Sequence, residues 1–482
     1  MRRVKIVATI GPASESPDIL RKLIAAGLDV ARLNFSHGSH EGHARIIGAL
    51  REAAEAIGKP IAILQDLQGP RIRIGKLSAG PVLVEAGRSL TLTTDEEAVG
   101  GAIPVTYPHL PADVKPGDRI LIDDGLIELV VEGTDPKTVR CRVVTGGTIN
   151  PNKGMNLPGV AVSAPTLGDK DLEDLAFGLS HGVDYVALSF VRSPEDLTAA
   201  REYMKKYGAE APLIAKIERP EAVERLDDIV AAADGVMIAR GDLAVETSPE
   251  AVPLIQKRII RACNQARTVV ITATQMLESM TVHPRPTRAE ASDVANAVLD
   301  GTDAVMLSGE TAAGRYPVEA VQTMARIVEA AEAGEDGLPG AMPGDRHLFE
   351  AKRSQSPTAS FPAAVCAAGA RAASETGAKV IVAFTETGTT ARLLSKERPT
   401  VPILAYTPHE PIRRRMALYW GVLPRAMRAN TTTAHTDQLI RDLERSLRDE
   451  KLAGPGDRIV ILLGAPVGAR GSTNLMKLHT IA

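Results

Sequence analysis

Residues 211–246 read APLIAKIERPEAVERLDDIVAAADGVMIARGDLAVE. Leu213–Ile217 is a short apolar run, Glu221–Ala232 places apolar residues at helical spacing, and Gly235–Ile238 is a second apolar run. Strand, amphipathic helix and strand in this order are the pattern of a parallel sheet with crossover helices. The rhythm recurs on both sides. Further strands are expected at Val4–Thr9, Asp29–Asn34, Ile61–Asp66, Asp184–Ser189, Val269–Thr272 and Asp303–Leu307, with helices such as Ser16–Ala26 and Glu41–Ile57 between them. Eight β/α units imply an α/β fold built on a closed (β/α)8 TIM barrel, with its site at the carboxyl ends of the strands. An open doubly wound sheet shares the alternation and stays a rival, because counting does not prove closure.

One gap breaks the rhythm. From Gly69 to about Ala164 the chain carries turn pairs (Pro116–Gly117, Asp124–Gly125) and short alternating runs such as RILIDDGLIELVVEG. That reads as a small β-barrel domain inserted in one barrel loop, placed to act as a lid. The expected division is 1–69 barrel, 70–164 lid, 165–335 barrel, 336–358 a linker rich in Gly, Pro and charge, and 359–482 a C-terminal α/β domain. In the last part a helix at Phe361–Ser374, strands at Lys379–Phe384, Pro402–Tyr406 and Arg458–Leu463, and a helix at Thr436–Lys451 are expected.

Composition agrees with this size of molecule. A chain of 482 residues predicts roughly three domains. With 44% hydrophobic and 24% charged residues, it can bury a core. A net charge of −3 offers no broad footprint for nucleic acid, and 3% aromatics are too few for a base-stacking surface. Cys141, Cys263 and Cys366 are widely spaced, which argues against a disulfide framework or a cysteine zinc site and suits a reducing compartment. The apolar run before Gly11 is only about six residues, too short for a secretory signal or a membrane span. A cytoplasmic protein with no membrane partner is expected.

Lys216 and Glu218 stand two apart at a strand end, so they share a face while Ile217 points away. Asp242 follows the next strand end. Two carboxylates at a barrel mouth suit Mg2+, which takes one or two of them together with waters and substrate oxygens. Lys216 beside that ion would add positive charge where phosphoryl transfer needs it. A barrel-lining salt bridge between Lys216 and Glu218 is the plainer alternative. Thr274 and Gln275 follow the seventh strand, where a lone Thr is more often a helix cap. Arg32, Asn34, Ser36 and His37 follow the second strand, and Asp66, Arg71 and Arg73 the third. Donors and carboxylates at one mouth point to a polyanion with Mg2+. His37, His40 and His43 have HxxHxxH spacing, but this drifts around a helix and lacks a fourth zinc ligand, so exposed histidines at a helix start are expected. There is no GxxxxGK[ST] loop, and no GxGxxG after the first strand, so any ATP or ADP must use other residues.

KIVATIGPAS, ARLNFSHG, IAKIERPEAV, ADGVMIARGDLAVE, ITATQMLESM, PTRAEASDVANAVLDGTDAVMLSGETAAGRYP and the terminal STNLMKLHTI resemble pyruvate kinase over essentially the whole chain. The resemblance implies transfer of the phosphoryl group of phosphoenolpyruvate to ADP, giving pyruvate and ATP in glycolysis. It implies Mg2+ (or Mn2+) on Glu218 and Asp242, and Lys216 stabilising the phosphoryl group in flight. Thr274 would join the relay that protonates the enolate carbon, with Arg32 and Arg73 on the phosphoryl group and the Gly241 backbone at the carboxylate. Asn34, His37, Arg73 and Lys153 would reach the nucleotide. A homotetramer is also implied.

Two departures stand out. Many family members read Thr-Lys-Gly-Pro-Glu after the aspartate and need K+, whereas this chain reads Leu67-Gln68-Gly69-Pro70-Arg71. A tethered guanidinium in place of the glutamate implies that K+ is not required, although Asn34, Ser36 and Asp66 match the family's monovalent-ion positions. Ser163 stands where some relatives carry an aspartate facing the cleft, which leaves the lid's contact there open.

Between a strand and a helix of the third domain lie Thr385, Thr387, Gly388, Thr389 and Thr390. Hydroxyls and amides at a helix start form an anion site, and the resemblance implies a phosphorylated small-molecule effector there, with GAPVGARGSTN closing over it. An ordinary capped turn is the alternative. Arg413, Arg414 and Arg415 read as a solvated face or a subunit contact rather than a nucleic-acid patch. Two rival functions share parts of the pattern: a lyase or aldolase of the phosphoenolpyruvate/pyruvate barrels, and a catalytically silent sensor of phosphometabolites.

Overall fold

In the strands Lys5–Thr9 (β1), Val30–Asn34 (β2), Ala62–Asp66 (β3), Tyr185–Leu188 (β4), Leu213–Ile217 (β5), Gly235–Ala239 (β6), Val269–Ala273 (β7) and Ala304–Leu307 (β8), nearly every residue is buried. Strands covered on both faces read as continuous apolar runs, which is why these segments are legible. The computed structural model describes residues 2–78, 80–95, 101–337, 360–427, 436–464 and 473–482. In it the eight strands are parallel and close in sequence order, β1 pairing with both β2 and β8. The open-sheet rival is excluded.

Strand parity sorts the side chains. Val7, Val30, Leu64, Ala187, Ile214, Met237, Ile271 and Met306 fill the barrel interior, while their chain neighbours pack outward on the helices. Ala417 and Leu418, from the C-terminal part, join the interior cluster, and Tyr185 donates its hydroxyl to the Arg415 carbonyl (2.8 Å). Because these residues plug the amino-terminal end, open space for chemistry lies at the carboxyl-terminal mouth.

The chain leaves that mouth at Gly69, whose φ of 69° and close approach to Ser189 (2.9 Å from a Cβ built on it) exclude a side chain. A seven-stranded, mainly antiparallel sheet follows, running from Ile72–Arg73 at one edge to Ile103–Pro104 at the other. The Ile74–Val105 bridge, with Gly75 N–H to Pro104 O at 2.7 Å and Thr106 N–H to Arg73 O at 2.9 Å, joins the two edges into a small barrel. Its filling includes Ile120, Ile122, Leu129, Val131, Val139 and Cys141.

The C-terminal part is a five-stranded sheet in the order Val422–Ala426, Ile403–Thr407, Val380–Phe384, Arg458–Gly464, Thr473–Thr480. The two edge strands escape a reading of periodicity. Val422–Ala426 contains Pro424, tolerated because an edge strand need not donate on both sides, and Thr473–Thr480 is largely exposed. The expected helix at Glu221–Ala232 is two helices, Pro220–Glu224 and Leu226–Ala232. Among the described residues no helix is long and apolar enough to cross a membrane.

Candidate active site

The inward parity that fills the barrel also builds its mouth. Thr9, Arg32, Asp66, Ser189 and Lys216 stand at or near the carboxyl ends of their strands on the interior face, with Glu218 two residues beyond Lys216. Lys216 Nζ lies 3.0 Å from Glu218 Oε1 and 3.3 Å from Asp66 Oδ1, and donates to Ser189 Oγ (2.7 Å). Arg32 Nε donates to Asp66 Oδ2 (2.7 Å) and its Nη1 to Thr9 Oγ1 (2.9 Å). Glu218 Oε2 accepts the Phe190 N–H (2.6 Å), and Phe190 holds a left-handed φ of 56° to present it.

Electrostatics set the protonation states. Burial pushes the Asp66 carboxyl up, but Lys216 and Arg32 outweigh it and hold it below its ordinary value. Burial also opposes the Lys216 ammonium, yet Asp66 and Glu218 raise its pKa overall. Glu218 goes the other way. Burial and the nearby Asp242 push it up further than Lys216 pulls it down. It is a carboxylate short of positive charge.

Asp242 sits in the helix Arg240–Glu246 after β6 and lines a cleft of about 240 Å3 between the barrel mouth and the small barrel. The far wall carries Arg71, Arg73 and Lys153. Arg73 donates to the Asn152 carbonyl (2.9 Å) and Lys153 pairs with Asp123 (2.8 Å). Gly241 packs so closely on Thr274 that an added Cβ would be 2.9 Å from its Cγ2. Thr274 and Gln275 are both left-handed, at φ 74° and 55°, a strained pair for non-glycine residues. Arg240 holds this backbone through the carbonyls of Ala273 (3.1 Å) and Thr274 (2.7 Å). Thr274 is therefore not a helix cap.

Asn34 spends its Oδ1 on the Ser36 N–H (3.1 Å), and Asp66 already carries two cations. His37 is held below its ordinary pKa by burial and by Arg71, Arg73 and Arg32. His40 pairs with Asp174 (2.7 Å) and stacks on Phe177, while His43 meets the His37 carbonyl (2.9 Å) and stacks on Phe35. The three histidines thus face different partners. Among the described residues no three His, Cys, Asp or Glu side chains group as a metal cage. Ser163 is exposed and bonds to residues of the small barrel: its N–H and hydroxyl meet Asp113, and its Oγ meets the Tyr107 hydroxyl (3.0 Å).

The threonine loop lies apart from this mouth. Thr385 Oγ1 accepts the Gly388 N–H (2.9 Å), and Thr387 and Thr389 share a hydroxyl contact (2.9 Å) ahead of the helix Thr389–Lys396. Thr390 is buried against Thr473 (2.6 Å), so it serves the fold. Most of GAPVGARGSTN lies outside the described residues. Of the arginine triplet, Arg413 pairs with Glu410 in its own helix (2.6 Å), Arg414 with Asp184 at the barrel's base (2.9 Å), and Arg415 reaches the Glu210 carbonyl (3.1 Å), so all three make contacts within the chain and two of them reach the barrel.

Ser189, Phe190, Arg192, Arg219, Arg240 and Glu246 escaped the sequence reading. Parity flags Ser189, since it is in step with Tyr185 and Ala187 on β4. The others act through backbone atoms or across loops, which no spacing reveals.

Comparison with known proteins agrees with this geometry. A family model described as "Pyruvate kinase, barrel domain" matches residues 1–321, and one described as "Pyruvate kinase, alpha/beta domain" matches 363–479. The chain is 46% identical over 482 residues to a pyruvate kinase of Mycobacterium intracellulare, covering 100% of this chain and 98% of that one. It is 45% identical over 486 residues to one of Mycobacterium tuberculosis strain H37Rv, with the same coverage. A crystal structure of a pyruvate kinase from Cryptosporidium parvum superposes with a TM-score of 0.92 at 38% identity, covering 100% of this chain and 96% of that one. Closed barrel, matching family models and full-length relatives together establish that this chain belongs to the pyruvate kinase family.

Proposed function

We propose that the chain moves the phosphoryl group of phosphoenolpyruvate to ADP at the carboxyl-terminal mouth of the barrel. The carrying observation is Lys216 Nζ between Glu218 (3.0 Å) and Asp66 (3.3 Å), with Glu218 bonded to Phe190, which lines the same cleft as Asp242, Arg71, Arg73 and Lys153. The bond from the substrate's enol oxygen to phosphorus breaks, and a bond from phosphorus to the terminal ADP oxygen forms. The electron pair left on the enol oxygen makes an enolate, which takes a proton at its methylene carbon to give pyruvate. Lys216 follows the charge on the moving group, while Arg32 and Arg73 orient it. The Gly241 backbone meets the carboxylate, Thr274 belongs to the proton relay, and Asn34, His37, Arg73 and Lys153 contact the nucleotide.

Glu218 and Asp242 fit a divalent cation, because burial and, to a lesser degree, the neighbouring Asp242 hold the Glu218 carboxyl above its ordinary value, and added positive charge would offset both. Mg2+, or Mn2+ in its place, would neutralise phosphate and carboxylate oxygens there. With Asp66 already paired to Arg32 and Lys216, the positions Asn34, Ser36 and Asp66 do not need K+, and Arg71 supplies the charge instead. The inserted barrel is read as a lid, and the loop with Thr385, Thr387, Gly388 and Thr389 as the seat of a phosphorylated effector. The family resemblance supports a homotetramer.

An assay of pyruvate formation, with and without ADP, tests the reading. Formation that requires ADP and a divalent cation supports it. Formation without ADP would favour lyase chemistry, and no formation at all a sensor.

A further inference from the structure

The small barrel returns to the main barrel through residues 156–166, and three side chains from the mouth hold this segment. Arg192, two residues after Phe190, donates to the carbonyls of Val162 (2.5 Å) and Ala164 (3.0 Å). Arg219, next to Glu218, reaches the carbonyls of Leu157 (3.4 Å) and Val160 (3.3 Å). Glu246, on the helix that carries Asp242, accepts from the Asn156 amide (2.9 Å). Each holding residue is thus a near neighbour in sequence of a group at the reaction centre.

Arg219 is the pivot of this set. It is almost fully buried (7% side-chain exposure) yet loosely held, 3.7 Å from Glu246 Oε2 and 3.7 Å from Glu221 Oε2, with its carbonyl contacts at the long end of the hydrogen-bond range. Arg219 Nε, Glu221 Oε2 and Glu246 Oε2 are buried without a hydrogen-bond partner, and both Arg219 and Glu246 line the cleft. Buried polar atoms left unpaired in one arrangement are costly, and contraction by a few tenths of an ångström would pair them. A network short of closure marks an element with a second, tighter position.

We propose that Arg219 is a positioning residue that latches the small barrel to the reaction centre through Glu246 and Asn156. Movement of the lid onto the cleft and placement of the Glu218 and Asp242 carboxylates are then a single event. The kinetic part of this inference rests on the function proposed above; the mechanical part does not.

Two measurements test it. Spin labels at Leu126→Cys on the small barrel and Tyr207→Cys on the main barrel report their separation, since both sites are exposed and the native cysteines are all buried. In the ligand-free full-length protein Arg219→Ala should broaden that distance distribution, and Arg219→Lys should restore part of it. An unchanged distribution overturns the latch whatever reaction the protein catalyses. In the kinetic arm, Arg219→Ala and Glu246→Gln should each lower kcat/KM for ADP by about tenfold, mainly through KM, with the double variant no worse than the poorer single one. Additive losses, or a fall in kcat that merely tracks a lower thermal midpoint, would reject the role. An inactive parent with a latched distance distribution would reject the function and keep the latch.

Discussion

Lys216 is the residue on which the site turns. It pairs with two buried carboxylates in the resting protein and is the group proposed to meet the phosphoryl oxygens. Lys216→Met should lower phosphoryl transfer by at least about 10²–10³-fold, the loss typical of removing one preorganised positive partner, while phosphoenolpyruvate still binds. Steady-state assay with isothermal titration separates the two, and full activity would discard the assignment. The variant should also lose stability, by about 3–5 kcal/mol, because Glu218 and Asp66 lose a buried partner. Arg71 supports a different prediction. The parent should keep its rate when K+ is replaced by a bulky organic cation at equal ionic strength, and Arg71→Glu should create a several-fold dependence on K+. A several-fold drop in the parent refutes the reading. Lys216 and Glu218 were legible because their separation of two equals the strand repeat. The Phe190 N–H on Glu218 was not, since any residue there offers the same amide.

At the level of elements, the third strand and the helix after the inserted barrel show why close packing hides from a periodicity argument. The helix Asp169–Ser180 crosses β3 at Gly178, and a Cβ added there would lie 2.0 Å from Gln65 Oε1. Gln65 is fully buried and donates to the Asp174 carbonyl (2.6 Å), so it has no room to yield. Gly178→Ala should destabilise the protein by about 1–3 kcal/mol, seen as a lower thermal midpoint, and Gln65→Ala in the same chain should recover part of the loss. No change in midpoint would mean that the helix can shift freely. Neither the glycine nor the glutamine announces this contact, because the two are more than a hundred residues apart and meet only when the barrel closes. The two edge strands of the C-terminal sheet were hidden for a different reason: Val422–Ala426 carries Pro424 and Thr473–Thr480 is largely exposed, so neither shows the pattern of a covered strand.

For the whole molecule, the informative contact is the seal between the base of the barrel and the C-terminal part. Lys5 points inward at the start of β1, and its Nζ donates to the Val422 carbonyl (2.7 Å). Burial, opposed by Asp29 and reinforced by Arg2 and Lys59, lowers its pKa to about 8. The unfolded chain holds this proton up to about 10.5, so between these values folding releases it. Stability contributed by Lys5 should therefore rise with pH across that window, by about 2 kcal/mol between pH 8 and 10. Thermal midpoints of the parent measured against Lys5→Met at both pH values check this. A parent midpoint that fails to rise relative to that of Lys5→Met between the two pH values would show that Lys5 does not change its proton affinity on folding.

The order of strands, the interruption after β3 and the same-face carboxylate and ammonium of β5 followed from the residues alone, because burial on two faces and a repeat of two leave marks on adjacent positions. Closure of the sheet, the left-handed turn at Thr274 and the arginines that grip the returning segment were decided in three dimensions. They arise between groups that are distant along the chain and are brought within hydrogen-bonding reach only when the eight strands form a ring and the base is plugged, and no local pattern of side chains encodes that encounter.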